Sequence, residues 1–305
     1  MAPGLSPKCS AHPSQAMEDV ALGEITARMP PSIYLDGCAW GCGFYAGAQA
    51  VFERAWGADF GERLVLQGDS AGALVALCWG LGMPSSFTRS LYADLAECGP
   101  VEMMKLRLSD YHDAAMDAIF ARHPDAHLRL RGRLQVGITL FPRRHVWVTE
   151  WRDQAHLRRT LHCSMHIPIY CREVPFLDGR PAVDGGIAFG GQHLAHGDAT
   201  LTISPATWTR LPGERAFDLS KALWPSQCLF PPQTRAGVSS LFKMGEDAAR
   251  EWLSGGGNMR EKKRRSWIFK YGGVLICASM WGARAVEEYL LPPRVRRPPL
   301  VRSRM

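Results

Sequence analysis

The sequence predicts a three-layer α/β fold in which a central, mainly parallel sheet is flanked by helices. Two strand–loop–helix units follow one another near the start: SIYLDG and RLVLQG are typical of strands, and each leads through a glycine-containing loop into a helix-like segment. A chain of 305 residues, 46% of them hydrophobic, can bury the core of such a fold. In this fold class ligands bind at the carboxyl ends of the strands, so we expect both loops at that edge.

Strands and helices continue to alternate along the chain. A helix is predicted over residues 106–124, then two strands, 133–141 and 145–151, which Pro142, Arg143 and Arg144 join as a hairpin. A helix over 153–165 follows, and the segments RPAVDGGIAFG and TLTISPATW are predicted to be strands. After Pro-rich connections, a last helix is predicted over about residues 239–253.

Three parts are expected along the chain. Residues 1–30 are predicted to form a flexible N-terminal tail, and the first sixteen of them lack the basic start and apolar run of a secretory signal. Residues 31–206 contain the alternating strands and helices of the α/β domain. Residues 207–305 are predicted to be a C-terminal extension.

Charge and cysteine content exclude several classes of protein. The net charge is +7, but the residues from Glu251 onward carry twelve Lys or Arg against four Asp or Glu, which makes +8 and leaves −1 for the body. A nucleic-acid-binding domain would instead carry basic residues on its folded face, so no nucleic-acid partner is expected. The nine cysteines show no CxxC or zinc-finger spacing. We therefore expect a cytoplasmic protein without disulfides, metal or cofactor.

The motif GDSAG places Ser70 between Gly68 and Gly72 at the turn from a predicted strand to a predicted helix. Such a corner exposes a serine hydroxyl as a nucleophile, and the helix that begins at Ala71 points free N–H groups towards a developing oxyanion. The motif alone also fits an ordinary turn in which Ser70 caps a helix.

The preceding loop, DGCAWGCGFYAG, is rich in glycine and lies one strand–helix unit upstream. Glycines allow a backbone to approach a substrate closely, so this loop is a candidate oxyanion hole. A dinucleotide-binding turn is the alternative, although its G-x-G-x-x-G spacing does not fit.

Asp184 ends a predicted strand and is followed by Gly185 and Gly186. A serine hydroxyl needs a base, and a carboxylate in a dry site can serve when its pKa is raised. An ordinary turn aspartate is the alternative interpretation.

Together these motifs resemble the patatin-like phospholipases, in the animal-type branch that contains adipose triglyceride lipase and adiponutrin. The resemblance covers about residues 32–205: GCAWGCGFYAGA, GDSAGALVAL, RLQVGITLFPRRHVWVTEW, LRRTLHCSMHIPIYC, AVDGG and LTISP follow the order of the family's landmarks. It implies a patatin-like fold and a lipid acyl hydrolase that cleaves triacylglycerol or glycerophospholipid esters. Residues 31–206 would then be the acyl hydrolase domain.

The resemblance also implies the roles of individual residues. Ser70 would form the acyl-enzyme, Asp184 would be the base of a Ser-Asp dyad, and no metal or histidine would be required. The oxyanion hole would be formed by the N–H groups of Gly37, Cys38 and Ala39, together with Ala71, or, in a shifted alignment, by those of Gly41, Cys42 and Gly43. The family usually has glycine where Ala39 stands, so this residue is expected to lower activity if it disturbs the loop.

Alternatives remain at this point. His193 and His196 follow Asp184 and would permit a Ser, Asp, His triad, although base and acid would then be nine residues apart or more. A catalytically weakened protein that binds lipid surfaces and regulates a lipase is a second function, and a transacylase would use the same acyl-enzyme.

The C-terminal part is expected to contact a membrane or lipid droplet from one side. EKKRRS precedes an apolar segment with thirteen uncharged residues between Lys270 and Arg284, fewer than the roughly 20 that a spanning helix needs. Basic residues beside an apolar run suit an anionic lipid surface. A last core helix with a solvated basic start is the alternative. The sequence does not identify a protein partner.

Overall fold

One sheet organises the part of the chain that the computed structural model describes, namely residues 28–104, 108–141, 144–168, 170–171, 173–187, 195–205, 215–216 and 235–255. Its eight strands are β1 (Ser32–Leu35), β2 (Val65–Asp69), β3 (Leu134–Leu140), β4 (Arg144–Val148), β5 (Phe176–Leu177), β6 (Arg180–Asp184), β7 (Thr200–Ile203) and β8 (Arg215–Ala216). The strand order is β5-β6-β3-β2-β1-β7-β8, and β4 pairs with β3. The run from β3 to β8 is parallel, and β4, β5 and β6 add antiparallel pairs.

Helices flank this sheet and connect its strands. They are α1 (Gly43–Trp56), α2 (Ala71–Gly80), α3 (Ser85–Met104), α4 (Leu108–Arg122), α5 (Ala126–Arg129), α6 (Gln154–Ser164) and α7 (Arg235–Ser254). Short 3-10 turns cover Ala39–Cys42, Phe60–Arg63, Gly185–Ile187 and Gly197–Ala199. The predicted α/β class, with a mostly parallel sheet flanked by helices, is confirmed.

Several element boundaries differ from those that the sequence predicts. Arg144 belongs to β4, where it pairs with Leu140, rather than to the hairpin turn; residues 142 and 143 lie outside the described ranges. The strand predicted over RPAVDGGIAFG ends at Asp184, because the two glycines after it turn into a 3-10 helix. Helix α3 was not predicted, since Gly99-Pro100 within it interrupts the helical pattern.

Strand β3 brings two strand ends together. Its residues 134–137 pair with β2 and its residues 138–140 pair with β6, while β4 pairs with residues 136–140. Because β4 occupies one edge of β3, β2 and β6 must share the other edge, one after the other. Asp69 lies opposite Gly137, and Asp184 lies opposite the next residue, Ile138. The carboxyl ends of β2 and β6 therefore meet.

Helix α7 packs closely on α1. A Cβ added to Gly47 would lie 1.9 Å from the carbonyl oxygen of Phe242, and one added to Gly245 would lie 1.9 Å from that of Phe44. The predicted helix at residues 239–253 is thus present and begins earlier, at Arg235. The division into a domain and a C-terminal extension stays a prediction.

None of the described helices combines the length and apolar character needed to cross a bilayer. Residues 1–27 and 256–305, which hold most of the predicted tail and the whole predicted lipid-contact segment, lie outside the described ranges.

Candidate active site

Ser70 occupies the sharp corner between β2 and α2. Its backbone has φ 55° and ψ −131°, a conformation that costs a non-glycine residue energy and that is typical of nucleophiles held at a strand-to-helix turn. The Ser70 N–H donates to Oγ of Ser164 at 2.9 Å, and that hydroxyl donates to the carbonyl of Gly137 at 2.7 Å. Ser164 therefore ties the strained corner to β3.

The small residues of the GDSAG motif allow α2 to begin directly against the sheet. A Cβ added to Gly72 would lie 2.1 Å from the carbonyl oxygen of Leu35, and one added to Gly68 would lie 2.6 Å from the backbone nitrogen of Ala73. Larger residues at either position would push the helix away from the strand ends. The two glycines thus keep Ser70 next to the loop that follows β1.

Asp184 ends β6 beside this corner and is 6% exposed. Its Oδ1 accepts the N–H of Gly186 at 2.9 Å, while Oδ2 has no hydrogen-bond partner among the described groups. Gly185 lets the chain pass β3, since a Cβ there would lie 2.4 Å from the carbonyl oxygen of Gly137. One carboxylate oxygen is therefore oriented by the backbone and the other is available to a proton.

Burial raises the pKa of Asp184 to about 7. The nearby Ser70 hydroxyl and the hydrogen bond from the Gly186 N–H lower this pKa, whereas the carboxyls of Asp69 and Asp36 raise it. A carboxyl with this pKa can accept and return a proton near neutral pH, as a general base must.

The glycine-rich loop lies against Ser70. A Cβ on Gly37 would lie 3.2 Å from Cβ of Ser70. Three predicted oxyanion donors are engaged inside the loop: Gly37 donates to Oδ1 of Asp36 at 2.9 Å, Gly41 donates to the carbonyl of Cys38 at 2.8 Å, and Gly43 donates to that of Gly41. By contrast, no hydrogen bond within the described chain uses the N–H of Ala39 or of Ala71.

Ala39 has φ 43°, in the left-handed region that favours glycine. The left-handed φ of Ala39 is therefore the cause of the strain expected in this loop. The buried Tyr92 hydroxyl donates to the carbonyl of the next residue, Trp40, and helps to hold the loop in place.

We expect Ala39→Gly to relieve this strain, raising the free energy of unfolding by about 0.5–1 kcal/mol and raising kcat/KM for a soluble ester several-fold. Urea unfolding and hydrolysis of p-nitrophenyl butyrate measure the two effects. Ala46→Gly, inside α1, is the matched control and should destabilise by about 1 kcal/mol without raising activity. Lower activity of Ala39→Gly would show that the methyl group is required.

Ser70 is among the residues that line a pocket of about 970 Å³, a volume that includes open solvent at its mouth. Helices α2, α3 and α4 form most of its wall, which is largely apolar. His112 contributes to it, and burial together with the nearby His162 lowers the pKa of His112 to about 3, so its imidazole is neutral. Ala39, Ser70, Ala71 and Leu74 are among the residues that line the pocket. Its shape and polarity suit an aliphatic chain.

His196, one of the two histidines of the alternative triad, makes no hydrogen bond to Ser70 or Asp184 among the described residues. His196 is exposed, and its backbone N–H donates to Oγ1 of Thr200 at 3.1 Å. His193 lies outside the described ranges. Sequence reasoning missed Ser164, Tyr34 and His145, which contact the Ser70 corner or the residue before it. The one signal in the sequence was a histidine, His145, at the start of a predicted hairpin strand.

Comparison with known proteins finds a similarity to a patatin-like protein. A stretch of 153 residues, 47% of this chain, is 27% identical to patatin-like phospholipase domain-containing protein 5 of the mouse, Mus musculus. The match covers 34% of that relative, so the chain spans about a third of its length. No protein-family model matches the chain. The similarity supports the patatin-like family in general and does not distinguish its branches.

Proposed function

We propose that this protein is a serine acyl hydrolase of the patatin-like type, acting on lipid esters through Ser70 and Asp184. The observation that carries the proposal is the strained Ser70 beside a buried carboxyl whose Oδ2 has no other partner. The apolar pocket that Ser70 helps to line supports a long-chain acyl group as the substrate. Triacylglycerols and glycerophospholipids, the substrates suggested by the adiponutrin-like branch, are the proposed esters.

The geometry supports a two-step reaction. Oγ of Ser70 attacks the ester carbonyl carbon while Oδ2 of Asp184 accepts the hydroxyl proton, and the carbonyl oxygen becomes an oxyanion. The N–H groups of Ala39 and Ala71 are the proposed donors to that oxyanion, helped by the amino end of α2. Asp184 returns the proton to the departing alcohol, which leaves an acyl-enzyme. Water then attacks by the reverse sequence and releases the fatty acid.

Covalent labelling tests the proposal directly. A fluorophosphonate probe should label the wild-type protein and should fail to label Ser70→Ala, since only the activated hydroxyl attacks phosphorus. Labelling of both proteins would assign the reactivity to another residue. Absence of labelling in both would favour the second candidate function, a lipid-surface binding or regulatory protein, which the strained Ala39 specifically supports. Analysis of the released products with an added acyl acceptor separates hydrolase from transacylase.

Narrowing the pocket should discriminate against long chains. We expect Leu74→Trp, on the pocket face of α2, to lower kcat/KM for p-nitrophenyl palmitate roughly 10-fold or more while changing that for the acetate less than 3-fold. Leu128→Trp is the control, because Leu128 is 57% exposed and does not line the pocket. An equal loss with both esters would place the acyl chain elsewhere.

Contact with a membrane or lipid droplet through the basic and apolar C-terminal segment is also proposed. Deleting residues 257–305 should reduce flotation with anionic liposomes, because each basic residue near such a surface adds about 1 kcal/mol. Unchanged flotation would exclude this segment as the contact.

A further inference from the structure

The residue before the candidate nucleophile carries a buried carboxylate with two side-chain donors. Asp69 ends β2 and is fully buried. Its Oδ1 lies 3.0 Å from Nε2 of His145, on β4, and its Oδ2 accepts the Tyr34 hydroxyl at 2.7 Å. Both oxygens of the Asp69 carboxyl therefore have a side-chain partner. Nothing in the reaction described above uses Asp69 or His145.

The Asp69 carboxylate lies directly against the end of β6. A Cβ added to Gly185 would lie 2.4 Å from Oδ1 of Asp69, and one added to Gly137 would lie 1.6 Å from the same atom. Only the absence of side chains at these two glycines allows the carboxylate to fit there. Since Gly185 follows Asp184, the Asp69 carboxylate contacts the residue next to the candidate base, at the shared edge of β3.

Other titratable groups face this pair. Asp36, after β1, shares the Tyr34 hydroxyl at 3.0 Å and accepts Ser204 Oγ–H at 2.8 Å. The segment after α6 contributes His166, whose carbonyl accepts the N–H of Asp184 at 3.0 Å and whose side chain is buried. Three buried carboxyls thus meet at one sheet edge, with His145 as the basic side chain that contacts Asp69.

We propose that Asp69, held by His145 and Tyr34, is a positioning residue that sets the pH range in which Asp184 can act as the base. This rests on the proposed function, because it assigns Asp69 a role toward the base of that same dyad. A negative charge at Asp69 disfavours a second one at Asp184, so Asp184 gives up its proton only at higher pH. Burial is the largest cause of the raised pKa of Asp184, and the Asp69 carboxyl is among the groups that raise it further.

The decisive measurement needs no catalytic activity. The free energy of unfolding is measured against pH for the wild type and Asp184→Asn, and again for Asp69→Asn and the double variant. In each pair, the free energy of unfolding of the protein that keeps Asp184, minus that of the protein with Asp184→Asn, falls as pH rises above the pKa of Asp184 in the unfolded state. This difference stops falling, at an upper break, where the pH reaches the pKa of Asp184 in the folded state. We expect this upper break near pH 7 in the wild-type background and about 0.5–1 pH unit lower in the Asp69→Asn background.

Several comparisons make the result decisive. Asp113→Asn removes a carboxylate from an ion pair with Arg158 on α6 and should leave the break unchanged. If Asp69→Asn does not fold, Asp69→Ser removes the same charge and carries the same expectation. The proposal would be overturned if the upper break stayed at the same pH in Asp69→Asn or Asp69→Ser. It would also be overturned if the break moved equally in Asp113→Asn.

Activity supplies a second readout. The acid limb of kcat/KM should move with the break in Asp69→Asn, whereas a merely structural loss would lower kcat/KM at every pH without moving the limb. If the wild type hydrolyses no ester but the break moves, the proposed function fails while the electrostatic link between Asp69 and Asp184 holds. If hydrolysis is present and the break does not move, only the role of Asp69 fails.

Discussion

Asp184→Asn should lower kcat/KM for ester hydrolysis by about 1,000-fold or more while the protein stays folded. The amide cannot accept the Ser70 proton, and its oxygen can still accept the Gly186 N–H that orients the native carboxyl. Ser70→Ala should lose as much activity, and the double variant little more, because the two residues act in the same step. Initial rates with p-nitrophenyl butyrate and circular dichroism spectra of all three variants provide the measurement.

His196→Ala and His193→Ala are the matched controls for this loss. His196 is exposed, so its removal should change the rate less than 2-fold if the dyad is correct. Inactivity in either histidine variant would replace the dyad with a triad, whereas full activity in Asp184→Asn would exclude Asp184 from the reaction in either scheme. The histidine variants therefore separate the two interpretations of the downstream loop.

The pH dependence of activity and that of stability should oppose each other. Because burial raises the pKa of Asp184 to about 7, the catalytically competent carboxylate forms only above that pH, and kcat/KM should rise through a midpoint near 7. Stability contributed by the protonated form is present below the unfolded pKa and is lost as pH rises towards the folded one.

Asp184→Asn removes this loss of stability at high pH. At pH 8.5 its free energy of unfolding should exceed that of the wild type by up to about 4 kcal/mol, whereas at pH 3.5 the two should be nearly equal. Urea unfolding at both pH values tests the prediction. A stability difference that does not change with pH would mean that the carboxyl titrates alike in the folded and unfolded states.

Local patterns predicted the frame of the site. The two strand–loop–helix units placed Ser70 and the glycine-rich loop at one sheet edge, where the structure has them, because parallel neighbouring strands end at the same side. Asp184 was predicted as the base through the family resemblance, whereas the local pattern placed it only at the end of a strand. Strand β6 pairs with the same edge of β3 as β2, beyond the point where β2 ends. This pairing joins segments that are far apart in the chain, so it cannot be predicted from a single sequence.

Other features of the structure depend on tertiary contacts, so local sequence could not predict them. The left-handed backbone of Ala39 is imposed by the surrounding loop, against the preference of alanine. The contact between His145 and Asp69 joins residues 76 positions apart and has no signature in spacing. Helix α3 forms despite Gly99-Pro100, so the local preference was overridden there.

The tight packing of α7 on α1 has a consequence for fragments of this protein. Because bare backbone meets bare backbone at Gly47 and Gly245, the two helices interlock with almost no intervening side chain, and the aromatic rings of Phe52 and Trp252 add a contact at 6.3 Å between centroids. A single proteolytic nick between residues 206 and 234 should therefore leave two polypeptides that copurify. Two separately expressed halves divided in that interval should reconstitute when mixed, and the shorter half alone should not remain folded.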